Sequence, residues 1–91
     1  TSDEYKEIWS WETTPKIADY LKGEIAKLST NATAEQFEAW GNHIKGELKI
    51  KGKPLFKGMR AVLTLEGEGP DLKVVIPLTP LSVLKERMTK I

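Results

Sequence analysis

PLFKGMRAVLTL, residues 54–65, is the stretch of sequence that decides the fold. Apolar side chains recur in it three and four positions apart, which is typical of one face of an α-helix. The proline falls in the first turn, where its missing N–H removes no helical hydrogen bond. The stretch predicts one amphipathic helix whose inner face holds Leu55, Phe56, Met59, Val62 and Leu63.

The opposite face of this predicted helix is polar and basic. Lys53, Lys57, Arg60 and Thr64 recur at i, i+4, i+7 and i+11, so they share one side. Residues 45–60 carry six basic side chains against one acidic side chain, although the net charge of the whole chain is only +1. Such a segment can attract a polyanion. A solvated lysine-rich surface is the competing interpretation.

Three amphipathic segments are predicted before this helix. Residues 3–11 form the first, and Thr14 followed by Pro15 predicts an N-cap and a first-turn proline for the second. Thr33 and Gln36 have the spacing of a capping box, in which each side chain satisfies a free backbone N–H at the start of the third. The upstream half is therefore predicted to be helical.

The sequence after residue 65 is compatible with two different secondary structures. Residues 71–78 contain a β-branched run and a proline, so pattern alone leaves a β-hairpin from Ala61 to Leu78 open. Thr79 followed by Pro80 predicts the cap and first turn of a last helix. We expect a single all-α domain over residues 1–91, a small bundle of about five to six short helices.

Composition excludes several classes of protein. The chain has no cysteine, which excludes a disulfide scaffold and cysteine-based zinc sites. It has one histidine, His43, and no apolar run close to the ~20 residues that span a bilayer. We expect a cytoplasmic protein without membrane association. Because it opens on Thr1-Ser2 without methionine, we expect it to be a piece of a longer protein.

No motif for catalysis is present. The sequence contains no phosphate-binding glycine loop, no nucleophile with a base at motif spacing and no metal-ligand cluster. Aromatic side chains could instead stack on nucleic-acid bases. The helical spacing of Trp9 and Trp40 favours core packing for both, and the role of Trp11 stays open. The chain is therefore expected to bind rather than to catalyse.

The region from residue 51 to residue 88 carries a series of motifs. Residues 51–64 read KGKPLFKGMRAVLT, followed by GPDL at 69–72, IPL at 76–78 and VLKERM at 83–88. This series resembles the last segment of bacterial-type glutamyl-tRNA synthetases, which are class I aminoacyl-tRNA synthetases. There, a Lys-Gly-Lys-x-Leu-Phe run leads to Pro-Leu-Arg-x-Ala-Leu-Thr-Gly, then to Gly-Pro-x-Leu and a closing Val-Leu-x-Arg-Leu. The resemblance indicates the C-terminal anticodon-binding domain of that family.

The chain departs from this pattern in its loops. The family has Pro-Leu before the arginine, glycine after the threonine, often histidine before Gly-Pro, and Leu-Gly before the last helix. The corresponding residues here are Gly58-Met59, Leu65, Glu68 and Thr79-Pro80. These changes bear on the detailed base contacts and leave the implied fold intact, with residues 71–78 helical and Pro77 as a kink or break.

The resemblance implies a helical cage that holds the anticodon stem-loop of glutamate tRNA. The family reads anticodon bases with the arginine before Ala-Leu-Thr and with the Gly-Pro-x-Leu loop. These residues correspond to Arg60, Gly69, Pro70 and Leu72. A guanidinium suits the edge of a base, a Gly-Pro turn can meet unpaired bases, and a leucine offers an apolar surface for a base face. Phosphate contacts would come from Lys51, Lys53 and Lys57.

The same resemblance implies how the work is divided within a longer enzyme. The parent would be a glutamate–tRNA ligase whose separate catalytic domain uses ATP and magnesium to charge tRNA with glutamate. The present chain would have no catalytic residue, no cofactor and no metal, and would be a monomer. A helical protein–protein interaction module, whose basic patch serves only solubility, is the alternative.

Overall fold

A computed structural model describes residues 3–67 and 69–91, and in these ranges it contains six α-helices and no strand. Thr1, Ser2 and Glu68 lie outside the described residues. The helices are α1 Asp3–Ser10, α2 Thr13–Ala26, α3 Ala34–Glu47, α4 Lys53–Thr64, α5 Leu72–Leu78 and α6 Leu81–Met88. The predicted all-α fold of five to six short helices is confirmed. The hairpin alternative is wrong, because α5 continues through Pro77 in its last turn.

Helix α4 lies at the centre of the molecule and contacts α1, α2, α3 and α6. Its side chains Leu55, Met59, Val62 and Leu63 are buried as predicted. Phe56, also predicted to face inward, is instead 63% exposed. Leu63, seven residues and nearly two turns later, lies on the same side of the helix and is fully buried. The angular position of Phe56 was therefore right, but too little of the chain covers that end of α4.

Two predicted threonine caps are wrong in the same way. The side chain of Thr14 caps no N-terminus: α2 begins at Thr13, and the buried Thr14 hydroxyl donates to the carbonyl of Ile8 at 2.6 Å. The hydroxyl of Thr79 likewise donates backwards, to the carbonyl of Val75 at 2.9 Å in α5. Each threonine thus donates to a carbonyl in the last turn of the preceding helix.

The capping box of α3 is confirmed, and α6 is capped from a distance. Thr33 and Gln36 exchange the two predicted hydrogen bonds, at 3.1 and 2.9 Å. The first N–H of α6, on Leu81, donates at 2.8 Å to the side-chain oxygen of Asn31, which precedes α3. This long-range cap joins the start of α6 to the α2–α3 connection.

The tryptophan predictions are confirmed for the core. Trp40 is 3% exposed, and Trp9 is partly buried and packs against the core. Trp9 also meets Tyr5 edge to face, with ring centroids 6.4 Å apart. Trp11 is half-buried. Within the described residues, no helix combines the length and the apolar character needed to cross a membrane.

Helices α2 and α4 approach each other closely at Gly58. A β-carbon added to Gly58 would lie 2.6 Å from the δ-methyl of Ile17 and 3.9 Å from the Thr14 hydroxyl oxygen. Ile17 and Thr14 are both fully buried, so neither side chain has open space into which to move. Glycine at position 58 allows the Ile17 side chain of α2 to pack directly against the backbone of α4.

We predict opposite effects for alanine at two helical glycines. Gly23, in α2, is exposed with no atom within 4 Å of an added β-carbon, so Gly23→Ala should stabilise the fold by about 0.5–1 kcal/mol. Gly58→Ala gains the same helix propensity but overpacks the core, which typically costs about 1–3 kcal/mol. Denaturant unfolding of both variants measures the difference. A Gly58→Ala chain as stable as Gly23→Ala would contradict the close approach.

Candidate nucleic-acid interface

Arg60 connects α4 to the loop that follows it. Its Nη1 donates to the carbonyl oxygen of Pro70 at 2.9 Å. A β-carbon added to Gly69 would lie 3.2 Å from the same nitrogen, so the glycine leaves room for the guanidinium against the loop backbone. Three of the four predicted base-reading residues, Arg60, Gly69 and Pro70, therefore lie together.

The sequence around this loop explains its position. Leu65 ends α4 in the left-handed conformation, with φ of 59°, at the position where the related family has glycine. The Thr64 hydroxyl accepts from the N–H of Glu66 at 3.2 Å and donates to the carbonyl of Arg60 at 2.7 Å. At the far end, the carboxylate of Asp71 caps α5 by accepting from the N–H of Lys73 at 3.0 Å. Both ends of the loop are thus fixed by side chains.

Leu72 corrects one expectation. It is 5% exposed and belongs to the core, as does Ile76 one turn later in α5. Its side chain therefore anchors α5 and does not offer the broad apolar surface for a base that was expected. Only a small part of Leu72 reaches the surface, in the wall of the cleft described next.

Arg60 stands between two clefts. The larger one, of about 760 Å³, is bordered by α1, α3, α4, α5 and the loop, and Gly69 contributes to its wall. The smaller one, of about 140 Å³, lies beside Thr64, Pro70 and Arg87. Because Arg60 lines both, its guanidinium can present donors to a group in either cleft while it holds the Pro70 carbonyl.

The larger cleft is not uniformly basic. Lys57 forms an ion pair with Glu4 of α1, and Lys73 of α5 forms one with Glu38 of α3. The hydrogen bond and the charge of Glu38 raise the pKa of Lys73 above its usual value. Lys57, a predicted phosphate-binding residue, therefore has a carboxylate partner that a phosphate would have to replace.

The other two predicted phosphate-binding residues lie apart from the cleft. Lys51 is exposed in the connection between α3 and α4, and Lys53 is exposed at the first position of α4. No acidic side chain in the described part of the chain forms an ion pair with either lysine. The basic segment is thus divided into an open part at residues 49–53 and a paired part at Lys57.

Sequence reasoning missed three residues of this region. Phe56 was assigned to the core and lies in the larger cleft with its side chain exposed. Lys73 was not singled out, although it faces Lys57 across the same cleft. Arg87 was not assigned to the site; its Nη1 donates to the carbonyl of Leu63 at 2.9 Å and it lines the smaller cleft. The one sequence signal for this site was an aromatic residue directly followed by a lysine, at positions 56 and 57.

The residues of the interface offer hydrogen-bond donors, an aromatic ring and paired charges. Between residues 3 and 67 and between 69 and 91, no group of three or more histidine, cysteine or acidic side chains is placed to hold a metal ion. The arrangement is suited to binding a polar, partly anionic ligand that presents unpaired aromatic bases.

The curated proteins that the chain resembles are aminoacyl-tRNA synthetases. No family model matches the chain, and no solved structure matches it significantly. The matching proteins are glutamate–tRNA ligases. The one from Clostridioides difficile is 39% identical over 75 residues, or 82% of this chain, and the one from Listeria innocua is 33% identical over 86 residues, or 94%.

The match covers most of the chain and a small part of these relatives. The chain spans 15% of the Clostridioides difficile protein and 17% of the Listeria innocua protein. A glutamate–tRNA ligase of Staphylococcus xylosus is 27% identical over 88 residues, which are 97% of this chain and 72% of that protein. The resemblance noted for residues 51–88 is confirmed: the chain is a relative of bacterial glutamate–tRNA ligases, of a size consistent with their C-terminal domain.

We predict that Arg60 orders the loop more than it stabilises the fold. Arg60→Ala removes the bond to the Pro70 carbonyl, so the amides of Gly69 and Asp71 should show faster motion in heteronuclear NOE measurements. Global stability should fall by only about 0.5–1.5 kcal/mol, the net value of one hydrogen bond.

Arg87→Ala is the matched control for this experiment. It loses a guanidinium–carbonyl bond of the same length, to Leu63, and should leave the motion of Gly69 and Asp71 unchanged. Equal loosening of the loop in both variants would show that Arg60 has no particular hold on it.

Proposed function

We propose that this chain binds tRNA as the C-terminal, anticodon-recognising domain of a glutamate–tRNA ligase, and that its ligand is the anticodon stem-loop of glutamate tRNA. The observation that carries the proposal is the position of Arg60, between two clefts and against the Gly69-Pro70 turn. The relationship to glutamate–tRNA ligases supports it independently.

Arg60 is the residue best placed to read a base. A guanidinium has five N–H donors in one plane, and the bond to Pro70 uses one nitrogen and fixes the orientation of the group. A guanidinium held in this way has lost much of its conformational freedom before the base arrives. The remaining donors can pair with two acceptors on the edge of an unpaired base.

The lysines divide the electrostatic work. Lys51 and Lys53 are exposed, and no described carboxylate competes with the RNA backbone for them. Lys57 contributes only when a phosphate replaces Glu4 at its ammonium group. Phosphate contacts of this kind set the register of the RNA and carry no sequence information.

Catalysis belongs to the parent enzyme in this proposal. ATP and magnesium would bind a separate nucleotide-binding domain, and the present chain supplies recognition without a reacting group. We propose that the chain acts as a monomer in the cytoplasm, where tRNA is charged.

A docking surface for another protein is the second candidate function. Val74 and Leu78 are 59% and 77% exposed and lie one turn apart on α5, so they form an apolar strip. Apolar contacts respond weakly to salt, whereas phosphate contacts weaken steeply with it. Titration of tRNA at two salt concentrations therefore separates the two functions.

We predict that Arg60→Ala weakens binding to the glutamate anticodon stem-loop selectively. A guanidinium paired to a base edge discriminates by roughly 1–3 kcal/mol, or about 5- to 150-fold. Binding to a stem-loop with a scrambled anticodon should change little. Arg60→Lys should recover only part of the loss, because an ammonium group keeps the charge but lacks the planar set of donors.

Fluorescence titration of both RNAs with the wild-type chain and the two variants measures these effects. Equal losses on the cognate and scrambled stem-loops would mean that Arg60 touches only phosphate, and the assignment of base reading would be wrong.

We also predict that Glu4→Gln strengthens binding of the stem-loop by roughly 1.5- to 5-fold. The range corresponds to the ~0.2–1 kcal/mol typical of surface ion pairs, applied here to the partly buried Lys57–Glu4 pair that the phosphate no longer has to break. Glu12→Gln changes the net charge equally, and Glu12 is exposed between α1 and α2, so it controls for long-range attraction.

The same gain should vanish in a Lys57→Ala background, because no ammonium group is then released. Identical gains from Glu4→Gln and Glu12→Gln would show that only total charge matters and that Lys57 has no phosphate contact.

A further inference from the structure

A groove separate from the two clefts described above lies between α3 and α4, next to the larger cleft; it is called the α3–α4 groove below. It has a volume of about 320 Å³, within the range of roughly 300–1,000 Å³ typical of small-molecule sites. From α3 it is lined by Phe37, Gly41, Asn42 and Lys45, which lie at helical spacing on one face. From α4 it is lined chiefly by Phe56, with Leu55 and Met59 behind.

Phe56 is one of three described side chains that line both the larger cleft and the α3–α4 groove; the other two are Phe37 and Glu38. It lines the larger cleft together with Arg60 and lines the α3–α4 groove together with Asn42. At 63% exposure, its ring is one of three large apolar side chains exposed in the part of the chain that the structure describes. Unlike Val74 and Leu78, it is surrounded by hydrogen-bonding and charged groups.

The groove carries the three kinds of group that an unpaired nucleotide needs. The Phe56 ring, with the half-buried Phe37 beside it, offers an aromatic surface for a base. The amide of Asn42 has a donor and an acceptor side by side, which suit the edge of a base. Lys45 supplies a cation for a phosphate, and within residues 3–67 and 69–91 the side chains of Asn42 and Lys45 have no hydrogen bond or ion pair.

The one carboxylate in the groove does not oppose this. Glu38 lines both clefts, and on its own its negative charge would repel a phosphate. Its ion pair with Lys73 offsets that charge. Among the described residues that line the groove, Lys45 therefore has the one unopposed charge, and its sign is complementary to RNA.

We propose that the α3–α4 groove binds one further unpaired nucleotide of the RNA, beside the bases read at Arg60. Its base stacks on Phe56, its edge meets the Asn42 amide and its phosphate meets Lys45. This inference rests on the proposed function and adds a subsite to it. The ligand at this subsite is a single-stranded nucleotide that continues from the larger cleft.

The first test removes the stacking surface. Phe56→Ala should weaken binding of the glutamate anticodon stem-loop by about 5- to 150-fold, the range for one base stacked on an aromatic side chain. Phe56→Trp should bind at least as well as wild type. Val74→Ala removes a similarly exposed apolar side chain outside both clefts and should have no effect.

The second test fills the groove without touching a proposed contact. A β-carbon added to Gly41 has Met59 Sδ at 4.0 Å, so a leucine there fits the helix and occupies the groove. Gly46, on the same helix, has nothing within 4 Å and does not line the groove. Gly41→Leu should weaken binding several-fold, whereas Gly46→Leu gains the same helix propensity and should not.

A base analogue locates the nucleotide. Stem-loops carrying 2-aminopurine at one loop position at a time should show quenched fluorescence on binding at the position that stacks, and Phe56→Ala should abolish the quenching. Melting curves establish that each variant folds. Asn42→Ala, at an exposed position, repeats the test if Gly41→Leu does not fold.

The outcomes separate this inference from the proposed function. If Arg60→Ala loses cognate binding while Phe56→Ala, Gly41→Leu and Asn42→Ala bind as wild type does, the groove holds no nucleotide and anticodon recognition stands. If Val74→Ala costs as much as Phe56→Ala, the ring contributes only nonspecific apolar contact and the subsite is wrong. If the wild-type chain fails to bind the stem-loop at low salt, both proposals are wrong.

Discussion

The packing of α4 against α2 at Gly58 is the constraint on which the rest of the molecule depends. Because Gly58 has no side chain, the fully buried Ile17 can lie against the backbone of α4. Thr14, at the same crossing, uses its hydroxyl to bind the end of α1, so α1 is fixed to the α2–α4 pair by a buried hydrogen bond. The positions of three helices thus follow from one glycine and one threonine.

The candidate interface inherits its geometry from that crossing. With α4 fixed, Arg60 points away from the core toward the loop, where the Pro70 carbonyl meets it. The placement of α1 brings Glu4 to Lys57, one turn before Arg60. The burial of Leu72 and Ile76 draws α5 in behind the loop, which brings Lys73 to Glu38 on α3. Core packing and surface chemistry are therefore two results of the same helix positions.

The sequence predicted the features that depend on local pattern. The inner face of α4, the capping box at Thr33 and the nearness of Arg60 to the Gly69-Pro70 turn needed only helical periodicity, cap spacing and the family resemblance. Helix boundaries near threonine–proline pairs were misplaced, because a threonine hydroxyl can bind a preceding carbonyl as readily as a following N–H.

What the sequence could not predict depends on contacts between distant segments. Phe56 and Leu63 have the same angular position on α4, and only the packing of other elements decides which one is covered. The partner of Lys57 is 53 positions away in sequence, so no local pattern reveals that its charge is shared. The prediction that Leu72 offers an exposed surface was wrong for the same reason, because its neighbours in space come from several elements.

The balance of charge in the larger cleft has a consequence for kinetics. From residues 3–67 and 69–91, its walls receive three cations and three anions, which are Lys57, Arg60, Lys73, Glu4, Glu38 and Asp71. Such a cleft exerts little long-range attraction, so on the proposed function the speed of encounter with RNA is set by the open lysines around residues 49–53. The cleft then governs how long the complex lasts. Changes at residues 49–53 should act on the association rate, and changes within the cleft on the dissociation rate.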